Sequence, residues 1–293
     1  MDTIGVVMAY NRASVTTDPY LGACLDGILY VSKQHRQKTV IFTEDNWEMA
    51  LQGLPSYCDG HCDGLLLIIP RTHSEIVPAL EARGDVPFVL VGDSPLSESL
   101  VSVDVDNVAA AAAATAHLTL RGHTKIAAFC GNPELRSNSQ RLAGYCQALE
   151  SAGLPHRQEY LFPGEYRHQH GYDNACRLLA EFPDPADRPT AILCLNDAIA
   201  RGACDALLDA SVRIPEEISV IGIDDSAYAT VRTPHLTTVR QDVRSVGEAA
   251  TEVLLACIEG HIKPGYQRLI QTELVKRSTT TTAIPPAGLR RTF

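Results

Sequence analysis

Short apolar runs alternate along the chain with segments in which apolar residues recur at helical spacing. Most of the runs are apolar throughout, which is typical of strands in a parallel sheet that is buried on both faces. The strands that this pattern predicts are residues 4–8, 39–43, 65–69, 88–91, 101–103, 126–130, 160–162, 191–195 and 218–223, followed by a last strand at 269–274.

Between the strands, apolar stripes and capping residues indicate helices. Leu21, Leu25 and Ile28 share one helix face, and Asn107 can cap an alanine-rich helix that Gly122 ends. Strands that alternate with helices predict βαβ units and doubly wound parallel sheets. One large sheet is an alternative, but the two halves of the pattern are separately complete, which favours two lobes.

Composition limits the class of protein. The chain has 293 residues, of which 45% are hydrophobic, so it can form sizeable cores. Its apolar runs are far shorter than the roughly 20 residues needed to cross a bilayer. The N-terminus lacks the features of a secretory signal, and we therefore expect a cytoplasmic protein. The net charge of −10 predicts that these residues themselves bind nucleic acid poorly.

The cysteines and the absence of known motifs argue against a metal site and against catalysis. The nine cysteines lie mostly in apolar runs, which favours reduced core thiols over disulfides. Cys58, His61 and Cys62 lie close together but do not complete a tetrahedral zinc site. The glycine-rich phosphate-binding motifs, the nucleophile elbow and the zinc-protease motif do not occur in the sequence. We expect no metal, no cofactor and no enzymatic activity.

Nine short segments together match a known pattern in order and spacing. Two examples are Arg141-Leu142-Ala143-Gly144-Tyr145 and Asn196-Asp197. The full set is Asp63-Gly64, Asp106-Asn107, 122–126, 141–145, Gly171-Tyr172, 189–197, 215–225, 234–241 and 275–279. With these segments the chain resembles the regulatory domain of the LacI/GalR (lactose-repressor/galactose-repressor) family of bacterial transcription regulators. The resemblance covers almost the whole chain, up to about Thr279.

The resemblance implies a periplasmic-binding-protein-like α/β fold, with two doubly wound parallel-sheet lobes joined by three crossovers. It places residues 1–122 plus 240–262 in the N-terminal lobe and residues 123–239 plus 263–293 in the C-terminal lobe. The family's helix-turn-helix headpiece has no counterpart here, so we expect a shortened form of a longer regulator. The family further implies a homodimer that contacts operator DNA only through that headpiece.

The predicted ligand-binding residues lie mainly in loops that follow strands. In open α/β sheets, ligands bind beyond the carboxyl ends of the strands. Carboxylates, amides, a guanidinium and aromatic rings at those places suit a polyol. Together with the positions that the resemblance implies, this rule selects Tyr10, Asn11, Tyr20, Arg141, Tyr166, Asn196, Asp224 and Gln241.

Each of these residues has an alternative structural role. Arg141 could form a salt bridge at an exposed helix start, and Asp224 could cap the next helix. Gln241 could hold a hinge, while Tyr20 and Tyr166 could be core tyrosines.

Neighbouring residues are expected to be structural. Asp225 is predicted to be the structural partner beside Asp224, and Asp197 is predicted to be a helix cap beside Asn196. His123 follows a helix-ending glycine and is expected to be structural rather than catalytic.

The function that follows is a small-molecule effector-binding and dimerisation domain of a DNA-binding transcription regulator. A sugar suits the polar set, although a nucleoside, a purine and an organic acid stay open. The alternative is a periplasmic-type sugar-binding protein of a transport system. The absent signal, the cysteines and the Gly122-His123 and Thr237-Thr238 segments favour the regulator.

Overall fold

The computed structural model describes residues 2–9, 19–95 and 97–283, which divide into two compact units. The first unit comprises the described residues up to Asp106, together with Glu134–Ser137 and Asp242–Gln271. The second unit comprises Asn107–Pro133, Asn138–Gln241 and the described residues from Thr272 onwards.

The first unit is built on a parallel sheet. Its strands are β1 (Thr3–Ala9), β2 (Lys38–Glu44), β3 (Gly64–Ile68), β4 (Phe88–Val91), β5 (Ser102–Val105) and β11 (Gln267–Ile270), in the order β11-β5-β4-β3-β1-β2. Its helices are α1 (Pro19–Gln34), α2 (Trp47–Tyr57), α3 (Ile76–Arg83) and α8 (Val243–Ile258). Alternate side chains of a strand face opposite sides of the sheet. Accordingly, Val6 packs in the core with α1 and α8, and Val7 packs in the core with α2 and α3.

The second unit repeats this plan with one antiparallel edge strand. Its helices are α4 (Asn107–Thr119), α5 (Arg136–Ser151), α6 (His168–Glu181) and α7 (Asp197–Asp209). The sheet order is β12-β10-β9-β8-β6-β7, and β12 pairs antiparallel with β10. These strands are β6 (Ile126–Phe129), β7 (Leu161–Phe162), β8 (Ala191–Cys194), β9 (Ser219–Asp224), β10 (Thr237–Arg240) and β12 (Glu273–Val275).

The helices of the second unit also cover both faces of its sheet. Alanines of α4, such as Ala111, and Tyr145 of α5 pack on one face. Leu178 of α6 and Ile199 of α7 pack on the other face. The predicted class, two doubly wound and mainly parallel sheets, is confirmed.

The unit boundaries differ from the expected lobe boundaries at four places, of which the two short ones are residues 134–137, now in the first unit, and residues 240–241, now in the second. Residues 107–122 were expected in the N-terminal lobe, but α4 packs on β9, β10 and β12 and belongs to the second unit. Residues 263–271 were expected in the C-terminal lobe, but β11 pairs with β5 of the first unit. The predicted strand at 269–274 is in fact parts of β11 and β12, because the chain passes from one sheet to the other after Gln271.

Candidate functional site

Five of the predicted ligand residues lie in the second unit, near the carboxyl ends of its parallel strands. Asn196 follows β8, Asp224 ends β9 and Gln241 follows β10. Arg141 lies on α5, and Tyr166 lies in the loop between β7 and α6. An ion pair, a cation–π contact and a hydrogen bond connect Arg141, Tyr166, Asp224 and Gln241, which therefore form one polar cluster.

Arg141 lies at the centre of this cluster and is buried, with 6% of its surface exposed. Its Nε donates to Oδ1 of Asn107 at 2.8 Å, and its Nη1 donates to the carbonyl oxygen of Leu195. Nη1 also lies 3.9 Å from Oδ1 of Asp224, and the guanidinium lies 5.6 Å from the ring centroid of Tyr166. The alternative role of a salt bridge at an exposed helix start does not apply, because the Arg141 side chain is buried.

The ring of Tyr166 lies directly against the backbone after β6. A Cβ added at Gly131 would lie 2.2 Å from Cζ of Tyr166, so this position has room for glycine alone. The amide of Gly131 donates to Oδ1 of the buried Asn138 at 2.9 Å. The sequence pattern did not single out Asn138, and it marked Asn107 only as a helix cap. The rule of strand-end loops could have found both, since Asn107 follows β5 and Asn138 lies near the start of α5, the helix that follows β6.

Asp224 and Gln241 are held together by two hydrogen bonds. The backbone amide of Gln241 donates to the carbonyl of Asp224, and Nε2 of Gln241 donates to Oδ1 of Asp224 at 3.1 Å. Gln241 is buried, and its Oε1 has no hydrogen-bond partner among the described residues. Asp224 has a φ of 134°, a conformation that non-glycine residues adopt at a cost and that clusters at functional sites. It is no helix cap, because the following 3₁₀ turn begins after Ser226.

Asp225 has the structural role that the sequence predicted. Its carboxylate forms ion pairs with Arg240 at 2.8 Å and with Arg277 at 2.5 Å. These contacts tie the turn after β9 to β10 and to the segment that follows β12.

The helix cap that the sequence predicted at Asp197 is Asn196 in the structure. Asn196 is the N-cap of α7, since its Oδ1 accepts from the amide of Ile199 at 2.8 Å. Asp197 is the first residue of the helix and is fully buried. Its carboxylate accepts from the Thr238 hydroxyl at 2.6 Å and from the Ser226 amide at 2.9 Å. Burial, and then the neighbouring Asp224, raises the pKa of Asp197 from its ordinary 3.8 to about 8.

The remaining predicted residues belong to the first unit or lie outside the described residues. Tyr20 is half-buried on α1, packs against the core of α1 and α8, and lies close to Gly92 after β4. Tyr10 and Asn11 lie outside the described residues.

The described residues contain no cluster of three or more His, Cys, Asp or Glu side chains that could hold a metal ion. Cys58 and Cys62 are free thiols. His123 has structural contacts, to the Thr190 hydroxyl and the Thr281 carbonyl. Within the same described ranges, no helix has the length and apolar character needed to cross a membrane.

Comparison with known proteins identifies the family. The model of the periplasmic binding protein-like domain matches residues 115–280. The HTH-type transcriptional repressor PurR of Vibrio atlanticus (strain LGP32) is 29% identical over 283 residues, which span 96% of this chain and 81% of the relative.

Two solved structures extend the likeness. One is the complex of the transcriptional regulator CelR with cellobiose, at 26% identity and a TM-score of 0.87, covering 95% of this chain and 84% of that one. The other is a LacI family regulator from Enterococcus faecium with bound ribose, at 25% identity and a TM-score of 0.78, covering 96% of this chain and 100% of that one. These relatives are regulators rather than transport proteins. The chain therefore belongs to the periplasmic binding protein-like family, as the effector-binding domain of a transcription regulator of the LacI/GalR type.

Proposed function

We propose that the effector of this domain is a sugar, bound in the second unit by Arg141, Tyr166, Asn196, Asp224 and Gln241. The observation that carries the proposal is the pairing of Asp224 with a buried Gln241 whose Oε1 has no partner among the described residues. A buried acceptor without a donor is costly, and a ligand hydroxyl would satisfy it. Tyr20 of the first unit, Tyr10 and Asn11 stay predicted contacts.

The charges of the cluster favour a neutral ligand. Asp224 lies 3.9 Å from the guanidinium of Arg141, so the two charges offset each other. A carboxylate and an amide oxygen accept from neighbouring hydroxyls, a guanidinium donates to them, and an aromatic ring covers the apolar face of a sugar. Two similar regulators are known with cellobiose and with ribose bound, which supports the same class here. A nucleoside, a purine or an organic acid is the second candidate.

Thermal unfolding of the purified chain against a panel of sugars, nucleosides and organic acids tests the proposal. A ligand at a hundred times its dissociation constant adds about 2.7 kcal/mol to stability. For a chain of this size, that corresponds to a rise in melting temperature of roughly 5–10 °C. We expect the rise from one class of sugar, and we expect it to disappear in Asp224→Ala and Arg141→Ala.

Matched controls separate loss of binding from loss of folding. Asp209→Ala and Arg177→Ala remove the same side-chain types from exposed positions of α7 and α6. Both are expected to keep the sugar response. A response only to purines or acids would contradict the sugar proposal, and turnover of the bound compound would contradict the expectation of a binding protein without catalysis.

We also propose that the chain forms a cytoplasmic homodimer, with DNA contacts made by a separate headpiece. Exposed apolar side chains in the first unit support a self-association surface, namely Leu29 and Tyr30 on α1 and Val40 and Ile41 on the edge strand β2. Ile41→Glu is expected to shift sedimentation from dimer to monomer. Leu120→Glu, on a more exposed apolar side chain of the second unit, is the control. A wild-type monomer at all concentrations would contradict the dimer.

A further inference from the structure

We propose that Asp197 is a positioning residue of the effector site, which holds the turn after β9 in the conformation that places Asp224. Its importance for binding rests on the proposed function. Its effect on the turn does not, and can be measured without a ligand.

The geometry of Asp197 ties three parts of the second unit together. The residue sits at the first position of α7, and its carboxylate reaches the Thr238 hydroxyl on β10 and the Ser226 amide in the turn. A Cβ added at Gly222 of β9 would lie 2.2 Å from Oδ1 of Asp197, so this strand leaves space for the carboxyl group. Asp197 thus contacts Gly222 before, and Ser226 after, the two residues with positive φ, Asp224 and Asp225.

The turn needs such support because its conformation is unfavourable by itself. Asp224 has a φ of 134° and Asp225 has a φ of 59°. Residues other than glycine rarely adopt such backbone angles, and these angles persist where surrounding contacts fix them. Asp225 is fixed by Arg240 and Arg277 on one side. Asp197 fixes the residue that follows, Ser226, on the other side, and the Asp224 side chain is thereby directed towards Gln241 and Arg141.

The charged groups around Asp197 explain why its protonation matters. Asp224 at the end of β9 and Asp225 in the turn both face it with negative charge. The nearby cations are committed elsewhere: Arg141 of α5 lies beside Asp224, while Arg240 of β10 and Arg277 pair with Asp225. Burial, and then the negative charge of Asp224, raises the pKa of Asp197, so the protonated form is favoured at this position.

An acid at this position costs stability that an amide would not. Asparagine could accept from the Ser226 amide and donate to the Thr238 hydroxyl, and it would never ionise. A group whose folded pKa lies above its unfolded value loses its contribution to stability as the pH rises through the folded pKa. The wild type is therefore expected to lose stability relative to Asp197→Asn between pH 4 and pH 8. The carboxyl group of Asp197, next to Asp224, thus makes the stability of the turn depend on whether one proton is bound.

The first experiment is thermal unfolding of the ligand-free chain from pH 5 to pH 8. We expect the melting temperature of Asp197→Asn to exceed that of the wild type by a margin that grows with pH, on the order of 10 °C at the upper end. Asp209→Asn, at the exposed last position of α7, is the matched control and should run parallel to the wild type. Parallel curves for Asp197→Asn and the wild type would overturn the proton sensitivity of the turn, whereas the positioning role is decided by the second experiment.

The second experiment is the crystal structure of two ligand-free variants. Asp197→Asn is expected to keep the hydrogen bond from Gln241 to Asp224, and Asp197→Ala is expected to lose it together with the φ of 134°. If the alanine variant does not fold, Thr238→Val removes one of the two contacts while keeping the shape of the side chain. An unchanged turn in Asp197→Ala, or in Thr238→Val if the alanine variant does not fold, overturns the positioning role. Failure of every sugar to bind would affect the proposed function alone.

Discussion

The two units pack one pair of helices in the same way but differ in what they bury. In the first unit, α1 meets α8 so closely that a Cβ at Gly27 would lie 2.1 Å from the carbonyl oxygen of Arg244. In the second unit, α6 meets α7 in the same manner, and a Cβ at Gly202 would lie 1.9 Å from the carbonyl oxygen of His168. Both pairs therefore rely on glycine for direct contact between helix backbones.

The polar content of the two units is different. Among the described residues, the buried arginines, Arg141 and Arg201, both lie in the second unit, as do the buried histidines, His117 and His123. Buried charges are costly and are kept where they are hydrogen-bonded or functional. The comparison teaches that helix packing is common to both units, whereas the buried arginines and histidines distinguish the unit that carries the proposed site.

The largest effect is expected from breaking the shared helix packing. Gly202→Val and Gly27→Val each force two helix backbones apart. Each is expected to lower the free energy of unfolding by about 3 kcal/mol. Urea unfolding monitored by circular dichroism measures both. Gly53→Val is the control, because its Cβ would meet the side chain of Tyr57 instead of a backbone, and a smaller loss is expected. A large loss in one unit alone would show that the two helix pairs are not equivalent.

A slightly smaller loss of stability is expected from removing a buried arginine, a residue type that only the second unit buries among the described residues. Arg201 donates to the carbonyl oxygens of Tyr228, Arg232 and Pro234. Arg201→Met leaves these acceptors without their donor and is expected to cost about 2–3 kcal/mol in the same urea experiment. Ser32→Ala in the first unit, which removes one hydrogen bond to Ile28, is expected to cost about 1 kcal/mol. Equal losses would remove the contrast between the units.

The pH dependence of stability sharpens the contrast in buried histidines. Burial, followed by the charges of Arg121 and Lys276, lowers the pKa of His117 from 6.5 to about 4. Between these values the unfolded chain binds a proton that the folded chain does not, so stability falls as the pH drops from 6.5 towards 4. His117→Gln should flatten the melting temperature across this window. His35→Gln, on an exposed side chain of the first unit, should leave the slope unchanged.

The smallest loss of stability is expected from removing an exposed arginine that each unit places beside a glutamate and an aromatic ring. Arg177 of α6 pairs with Glu181 and lies over the ring of Phe162. Arg244 of α8 pairs with Glu248 and lies over the ring of Tyr30. Exposed pairs of this kind contribute little, so alanine at either arginine should cost less than about 1 kcal/mol. A loss well above that in one variant would reveal an unrecognised role for that arginine.

Much of the fold could be predicted because parallel strands and amphipathic helices leave local patterns. Buried runs such as those of β3 and β8 are apolar throughout, and the prediction of two doubly wound sheets follows from their alternation with helices. The placement of α4 and β11 could not be predicted this way. An alanine-rich helix and a short strand carry no local sign of which sheet they join.

Local sequence determined that polar residues follow the buried strands of this chain, and therefore which of them are candidates for a site. Only the tertiary structure decided their roles. Asn196 and Asp197 are equally plausible caps by sequence, yet the second is directed towards Thr238 on β10, 41 residues away. Asp225 meets Arg277 across 52 residues. Periodicity reports which face of its own element a residue occupies, whereas hydrogen-bond partners depend on strands that are brought together only by folding.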